Sequence, residues 1–190
     1  DSFNEEERQY YLQLMLEQAQ HMRALVDDLL TLAALESTPE NEARTVPMAS
    51  LIRQALAQGQ ALSHNQHEFE TNIDPRLVVV GSKTELSSVI SNLLSNAVHY
   101  TPAGGRIRLF WYQNPQGQAV FAIEDTGIGI SPEDIPRLTE RFYRVDKARS
   151  RASGGTGLGL AITKHVAARH GATLDIQSRL HQGRRFSLTF

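Results

Sequence analysis

The sequence predicts an α+β protein, a two-layer α/β sandwich in which helices cover one face of a mixed β-sheet, with one long helix in front of it. First, residues 5–36 contain neither glycine nor proline and carry a heptad pattern of apolar residues, which is typical of a long helix. Second, beyond residue 46 strand-like and helical segments alternate irregularly, with several hairpins, as in α+β folds. Third, 41% hydrophobic and 21% charged residues are ordinary for a globular chain.

The long helix has an apolar stripe too wide for one helix to bury alone. We interpret it as part of a dimerising helical bundle; the alternative is a helix that lies on its own domain. Pro39 and its polar neighbours then predict a linker over 38–45. The stripe comprises Tyr11, Met15, Gln18, Met22, Leu25, Leu29, Leu32 and Glu36, with Leu12, Ala19, Val26 and Ala33 beside them.

After the linker, period-two and period-3.6 patterns predict the remaining elements. Ser82, followed by Glu85 three residues later, is a capping box that starts a helix, and Gly171 ends the last helix. The predicted strands are 46–48, 67–73, a buried strand at 77–80, 106–113, 118–124, 173–178 and 185–190; the predicted helices are 50–62, 82–100 and 161–170.

Charge and composition limit the classes of partner and of site that this chain can have. A net charge of -2 gives no overall argument for nucleic acid or an anionic membrane as partner. The chain has no cysteine, which excludes disulfides and thiolate metal sites. No apolar run reaches the roughly 20 residues of a membrane span. We therefore expect either a soluble protein or one whose membrane part lies outside this sequence.

Two glycine clusters, DTGIG at 125–129 and GGTGLGL at 154–160, mark places where the main chain can approach a ligand closely. The second cluster precedes a predicted helix, so its peptide N–H groups suit a phosphate. Neither common phosphate motif fits. The segment around Gly81 lacks the glycines of a Walker A loop, and the spacing at 155–159 differs from the dinucleotide fingerprint.

Polar residues accompany these clusters. Asn92, Asn96 and His99 share one side of the helix predicted at 82–100, where amide oxygens could ligate Mg²⁺; the asparagines alone would equally suit a solvated face. Between the clusters we favour a phosphate-facing lid over a solvated loop, with Phe142 and Tyr143 as its apolar anchor. The cations of this lid are Arg141, Arg144, Lys147, Arg149 and Arg151, against a single Asp146.

Four segments, taken together and in order, resemble the N, G1, F and G2 boxes of sensor histidine kinases: NLLSNAVHYT (92–101), DTGIG (125–129), RFYRV (141–145) and GTGLGLA (155–161). The resemblance implies that 46–190 is a catalytic ATP-binding domain of the Bergerat type, shared with gyrase, Hsp90 and MutL. It also implies that 1–37 is the second helix of a dimerisation and phosphotransfer hairpin. The run 135–151 is most similar to the phosphate-regulon branch of the family.

The resemblance implies ATP and Mg²⁺ as cofactors. Asp125 would accept from the adenine amino group, Tyr100 would pack on the base, Asn96 would ligate Mg²⁺, and Asn92 and Arg144 would act at the transferred phosphoryl group. The residues expected at ATP are Asn92, Asn96, His99, Tyr100, Asp125, Gly127, Gly129, Ile130, Tyr143, Arg144, Lys147, Thr156, Gly157, Leu158 and Gly159.

The sequence departs from the family pattern in two respects. His99 stands where the family often has lysine, which leaves a phosphate contact there in question at neutral pH. The family's phosphoacceptor box is absent, because neither His21 nor His67 is followed by its arginine, threonine and proline. The other histidines are interpreted as ordinary surface or helix residues: His64, His165, His170 and His181.

We therefore expect the cytoplasmic catalytic fragment of a membrane-anchored sensor kinase, whose acceptor histidine lies outside this chain. Its expected partners are a response-regulator receiver domain and a second copy, joined through the helical hairpin; no nucleic acid is expected. Two alternatives stay open. One is an ATPase module of the gyrase, Hsp90 and MutL class that drives a conformational change. The other is a non-catalytic regulator-binding or dimerisation module.

Overall fold

The computed structural model describes residues 4–37, 44–145 and 155–190, and these form the predicted α+β architecture. The first half contains α1 (Glu5–Ser37), β1 (Arg44–Val46), α2 (Met48–Ser63), β2 (Glu68–Ile73), β3 (Val79–Gly81) and α3 (Lys83–Tyr100). The second half contains β4 (Arg106–Gln113), β5 (Ala119–Asp125), a 3-10 turn (Ile135–Arg137), α4 (Gly159–Arg169), β6 (Thr173–Arg179) and β7 (Gly183–Thr189).

The main sheet has five strands in the order β2-β4-β5-β7-β6. Strands β2 and β4 are parallel, and the other neighbours are antiparallel, so the sheet is mixed as expected. A separate two-stranded ribbon pairs β1 with β3.

Alternation along β4 separates the two faces of the main sheet. Ile107, Leu109 and Trp111 are fully buried beneath the helices, whereas Arg106 and Arg108 point to the uncovered face. Helices α2, α3 and α4 form the second layer, and α3 packs against both of the others. The apolar core therefore lies between one sheet face and one layer of helices, which confirms the two-layer prediction.

The start of α3 is fixed by a cap from its own sequence and by a contact from α4. The Glu85 N–H donates to the Ser82 hydroxyl oxygen at 3.4 Å, and the Ser82 N–H donates to His170 Nε2 at 3.0 Å. His170 Nδ1 lies 2.8 Å from the Val166 carbonyl oxygen, so the pattern requires a neutral ring protonated on Nδ1. His170 is thus a residue at the end of α4 whose buried ring joins the two helices, which places it among the helix histidines and not on the surface.

Helix α1 matches its predicted extent and contacts the rest of the domain through its C-terminal half. Leu32 and Leu35 are buried there, and Arg169 donates to the Leu35 carbonyl oxygen at 3.2 Å. The earlier turns expose a large apolar surface: Tyr10, Tyr11, Leu12, Leu14, Met15, Leu16, Met22, Val26, Leu29 and Leu30. A partner for this face remains a prediction.

The ribbon strands differ from the predicted ones. β1 begins at Arg44, inside the predicted linker, and ends before Pro47, while Met48 already belongs to α2. β3 spans Val79–Gly81 and is not buried throughout, because a two-stranded ribbon with one covered side leaves alternate side chains in solvent. The remaining predicted boundaries agree with the structure to within about two residues, the usual uncertainty of element ends.

None of the helices in the described residues has both the length and the apolar character that crossing a bilayer demands.

The ribbon provides a test of burial at neighbouring positions. Val79 is 7% exposed and Val80 is 62% exposed. We expect Val79→Ala to lower the free energy of unfolding by about 1–2 kcal/mol, since two buried methyl-sized groups are lost. Val80→Ala should change it by less than about 0.5 kcal/mol, as at other exposed sites. Urea denaturation measures both; equal losses would contradict the assigned strand faces.

Candidate functional site

A cavity of about 340 Å³ opens between α3, the loop after β5, the segment around Tyr143 and the start of α4. Helix α1 contributes a further part of its wall. The predicted site residues that line it are Asn92, Asn96, His99, Tyr100, Gly129, Ile130, Tyr143, Arg144, Thr156, Gly157 and Gly159.

Helix α3 supplies one wall because its other side is buried in the core. Leu93 and Leu94 are packed in that core, which turns Asn92 and Asn96, one helical turn apart, towards the cavity. The Asn92 amide nitrogen lies 3.5 Å from the Gly159 carbonyl oxygen, a long contact that leaves the amide oxygen outside this interaction. His99 Nδ1 lies 2.8 Å from the Ser95 carbonyl oxygen, on the same wall.

The two glycine clusters allow backbone contacts that a Cβ atom would block. Gly129 has a φ of 69°, and a Cβ there would lie 2.0 Å from the Arg179 carbonyl oxygen. Gly157 has a φ of 75°, and its carbonyl oxygen accepts from the Phe142 N–H at 2.9 Å. These glycines let the loops after β5 and before α4 line the same cavity.

Asp125 and Arg184 form a buried ion pair beside the cavity. They are directly opposite each other on β5 and β7, with Arg184 Nε 3.0 Å from Asp125 Oδ2. Burial raises the pKa of the Asp125 carboxyl, and the nearby Arg184 charge and the Gly127 N–H oppose that rise. Arg184 lines the cavity, whereas the Asp125 side chain is only 1% exposed and lies behind it.

Tyr143 is held at the cavity edge by polar and ring contacts. Its hydroxyl donates to Asp134 Oδ1 at 2.5 Å, and the Arg137 guanidinium lies 4.2 Å from the ring centroid. The hydrogen bond to Asp134 raises the pKa of the Tyr143 hydroxyl. Phe142 is 56% exposed, so the predicted apolar anchor of the lid is wrong for Phe142, while Tyr143 packs against the core.

Helix α1 contacts the glycine loop that precedes α4. The Thr156 hydroxyl donates to Asp28 Oδ2 at 2.5 Å and accepts from the Leu158 N–H at 3.2 Å. Glu36 of α1 forms an ion pair with Arg141. The long helix therefore reaches the cavity through Asp28 as well as the core through its last turns.

The structure brings most of the predicted site residues together. Gly127 and Leu158 do not line the cavity; their roles there are structural, since a Cβ on Gly127 would meet the Tyr100 carbonyl oxygen and Leu158 is fully buried. Asp125 reaches the cavity only through its contact with Arg184. Lys147 and the other cations of residues 146–154 lie outside the described residues.

Sequence reasoning missed Arg184 and Asp28. A signal for the first existed, because consecutive side chains of a strand point to opposite faces, so one of Arg184 and Arg185 had to face the helices. No comparable signal existed for Asp28, which lies among many charged residues of an exposed helix.

Residues 81–190 match the protein family described as histidine kinase-, DNA gyrase B- and HSP90-like ATPases. The phosphate regulon sensor protein PhoR of Pseudomonas aeruginosa is 46% identical over 94% of this chain and 41% of its own length. The sensor-like histidine kinase SenX3 of Mycobacterium tuberculosis is 36% identical over 94% of this chain and 44% of its own length. The chain thus spans about two-fifths of these relatives.

Solved structures show the same architecture. The mycobacterial sensor histidine kinase MprB superimposes with a TM-score of 0.69 at 30% identity, covering 78% of this chain and 96% of that one. Full-length ShkA, solved in complex with AMPPNP, gives a TM-score of 0.80 at 27% identity, covering 100% of this chain and 39% of that one.

The glycine of the loop after β5 can be tested against a glycine with the same backbone strain. Gly104 has a φ of +81°, but a Cβ added there would have nothing within 4 Å, so Gly104→Ala costs backbone strain alone. Gly129→Ala adds a collision with main chain, and we expect it to lower the free energy of unfolding by about 1–3 kcal/mol more than Gly104→Ala. Urea denaturation of both variants measures the difference; equal losses would show that the close approach at Gly129 is not needed.

Proposed function

The chain belongs to the histidine kinase-, DNA gyrase B- and HSP90-like ATPases, as the catalytic domain of a sensor histidine kinase. From that premise we propose that its cavity binds Mg²⁺-ATP and that the γ-phosphoryl group of this ATP is transferred to a histidine. The observation that carries this proposal is that residues from separate segments line one cavity. Amide side chains of α3 and main chain from two glycine loops face one cavity, although they lie far apart in the sequence. Peptide N–H groups and amides are suitable ligands for a metal triphosphate.

At the metal end, Asn96 is proposed to ligate Mg²⁺, with Asn92 on the phosphate side. The described residues contain no group of three histidine and acidic side chains that could hold a metal ion. Mg²⁺ does not need one, because it commonly takes one or two protein oxygens and completes its shell with waters and phosphate oxygens. The two amides of the cavity wall therefore fit this ion without adding negative charge beside a triphosphate.

At the phosphate end, the loop at 155–159 is proposed to present its backbone to the phosphates, and Arg144 to reach the γ-phosphoryl group. Thr156, Gly157 and Arg144 all line the cavity, and a Cβ on Gly157 would lie 3.4 Å from Arg144 Cγ. Phosphoryl transfer depends mainly on positioning and on cations that neutralise the equatorial oxygens. This makes Arg144 and Asn92 the proposed catalytic residues. His99 and Tyr143, which also line the cavity, complete the proposed contacts with ATP.

At the base end, Tyr100 is proposed to pack on adenine, beside Gly129 and Ile130. Asp125 is proposed to accept from the adenine amino group. Gly127 supports that role, because its N–H donates to Asp125 Oδ1 at 2.9 Å and so orients the carboxylate. Lys147, on the lid expected to face the phosphates, is the further proposed contact of ATP.

The wider assignment is also a proposal. Residues 1–37 would be the second helix of a truncated dimerisation and phosphotransfer hairpin, 38–45 the linker and 46–190 the catalytic domain. The exposed apolar face of α1 supports a bundle with a second copy. The acceptor histidine would lie on the other hairpin helix, and the phosphoryl group would pass on to a response-regulator aspartate. Similarity to PhoR supports phosphate-regulon signalling by the cytoplasmic part of a membrane-anchored kinase.

The metal role of Asn96 has a matched test. We expect Asn96→Ala to weaken ATP binding about tenfold or more when Mg²⁺ is present, because a charge-assisted contact is lost. The same variant should bind ATP almost as the unmodified chain does in EDTA. Asn72→Ala, on an exposed part of β2, is the control and should change neither affinity. Isothermal titration calorimetry measures all values; a loss at Asn96 that is independent of Mg²⁺ would contradict the metal role.

The acceptor histidine is tested by phosphorylation. Incubated with Mg²⁺-ATP, the chain should bind nucleotide but incorporate well under 1 phosphoryl group per chain on histidine, as intact mass and acid-labile radiolabel report. Adding a phosphoacceptor hairpin from the encoded full-length protein should restore labelling, on the hairpin. Stoichiometric phosphohistidine on this chain alone would overturn the truncation, and steady ATP hydrolysis with no phosphohistidine in either mixture would favour the conformational ATPase class.

A further inference from the structure

Arg184 is a charged residue on the helix-facing side of a strand whose other residues on that side are apolar. Phe186 and Leu188 follow it on the same face and are both buried in the core. Arg185 points the other way, where it forms an ion pair with Glu124 and donates to the Tyr112 hydroxyl at 3.1 Å. Of these two adjacent arginines, only Arg184 lines the cavity.

The guanidinium of Arg184 makes two kinds of contact. Its edge donates to Asp125 Oδ2 through Nε at 3.0 Å and to the Asn96 carbonyl oxygen through Nη2 at 3.1 Å. Its central carbon Cζ lies over the Tyr100 ring, 4.9 Å from the centroid, and 5.8 Å from the centroid of Phe186. Such a position over an aromatic face is favourable for a cation.

These contacts use the same groups that the proposed function assigns to the nucleotide base. A 6-aminopurine is also flat, and it also presents an N–H donor at its edge. The guanidinium thus hydrogen-bonds the Asp125 carboxylate and covers the Tyr100 ring. The base would need both of these groups. Since the Asp125 side chain is only 1% exposed, a base cannot reach it while Arg184 keeps this position.

We propose that Arg184 is an affinity-determining residue of the base end of the cavity, an internal competitor that a purine nucleotide must displace from Asp125 and Tyr100. This inference rests on the proposed function, because it takes ATP as the ligand. A site that is competent in only a fraction of the free molecules has its apparent dissociation constant raised by the inverse of that fraction. If Arg184 fills the base end in about nine molecules of ten, the apparent affinity falls about tenfold.

The test variant is Arg184→Ser. A serine hydroxyl can still donate to Asp125, so the buried carboxylate keeps a partner, while the planar group over Tyr100 is removed. We expect Arg184→Ser to lower the dissociation constant for Mg²⁺-ATP about tenfold in isothermal titration calorimetry. Inorganic tripolyphosphate, which has no base, should bind both proteins equally.

Arg185→Ser is the matched control, because it removes the same side chain from the neighbouring position on the opposite face. It should leave the dissociation constants for ATP and tripolyphosphate unchanged. If Arg184→Ser and the control had the same dissociation constant for ATP, the inference would be overturned. Weaker ATP binding by Arg184→Ser would also overturn it, since Arg184 would then contact the base directly. A chain that binds no ATP in any of the three forms would instead overturn the proposed function, and the inference with it.

A second measurement needs no substitution. A crystal structure of the unmodified chain with AMPPNP and Mg²⁺ should show the Arg184 guanidinium removed from Tyr100 and from Asp125, with the base in its place. A bound base beside a guanidinium that still lies 4.9 Å from the Tyr100 centroid would overturn the inference.

Discussion

The cavity depends on how helix α3 is rotated about its axis. Burying Leu86, Leu93 and Leu94 against the sheet and the neighbouring helices fixes that rotation, because the apolar stripe can face the core in only one way. With 3.6 residues per turn, Asn92 and Asn96 must then lie together on the flank of the helix. The hydrophobic effect thus positions the polar side chains, and no contact between the two amides is required.

The second constraint is the close approach of main chain from the sheet side. Gly183 follows the turn between β6 and β7, and a Cβ there would lie 1.9 Å from the Asp125 carbonyl oxygen. Gly129 meets Arg179 at the other end of the same turn. The turn and the loop after β5 are therefore packed backbone against backbone. This part of the cavity wall is fixed by the sheet, whereas Tyr143 and the start of α4 form another part of the wall.

Local sequence patterns predicted most of the helices and strands. They did not predict the contacts between residues that are far apart in the sequence. Periodicity and the Ser82 cap gave the extent of α3 to within a residue, since both act over a few positions. The contacts Thr156 to Asp28 and Ser82 to His170 join residues 128 and 88 positions apart. No pattern in the chain encodes such pairings, because they depend on how whole elements pack. The resemblance to a family supplied the remaining site residues, and it did not supply Arg184.

The ion pair of Asp125 and Arg184 is hard to explain by stability. Desolvation offsets much of the attraction within a buried pair, so apolar side chains in the same volume often stabilise a fold as well or better. Burial raises the pKa of the Asp125 carboxyl by more than the Arg184 charge and the Gly127 N–H lower it. The folded state then binds this proton more tightly than the unfolded chain, so the contribution of Asp125 to stability falls as the pH rises above the ordinary pKa of the carboxyl. Apolar Phe121 and Ile123 hold the neighbouring inward positions of β5 without this cost. The charged pair lies where the strand reaches the cavity, so its position is better matched to the cavity wall than to the apolar core.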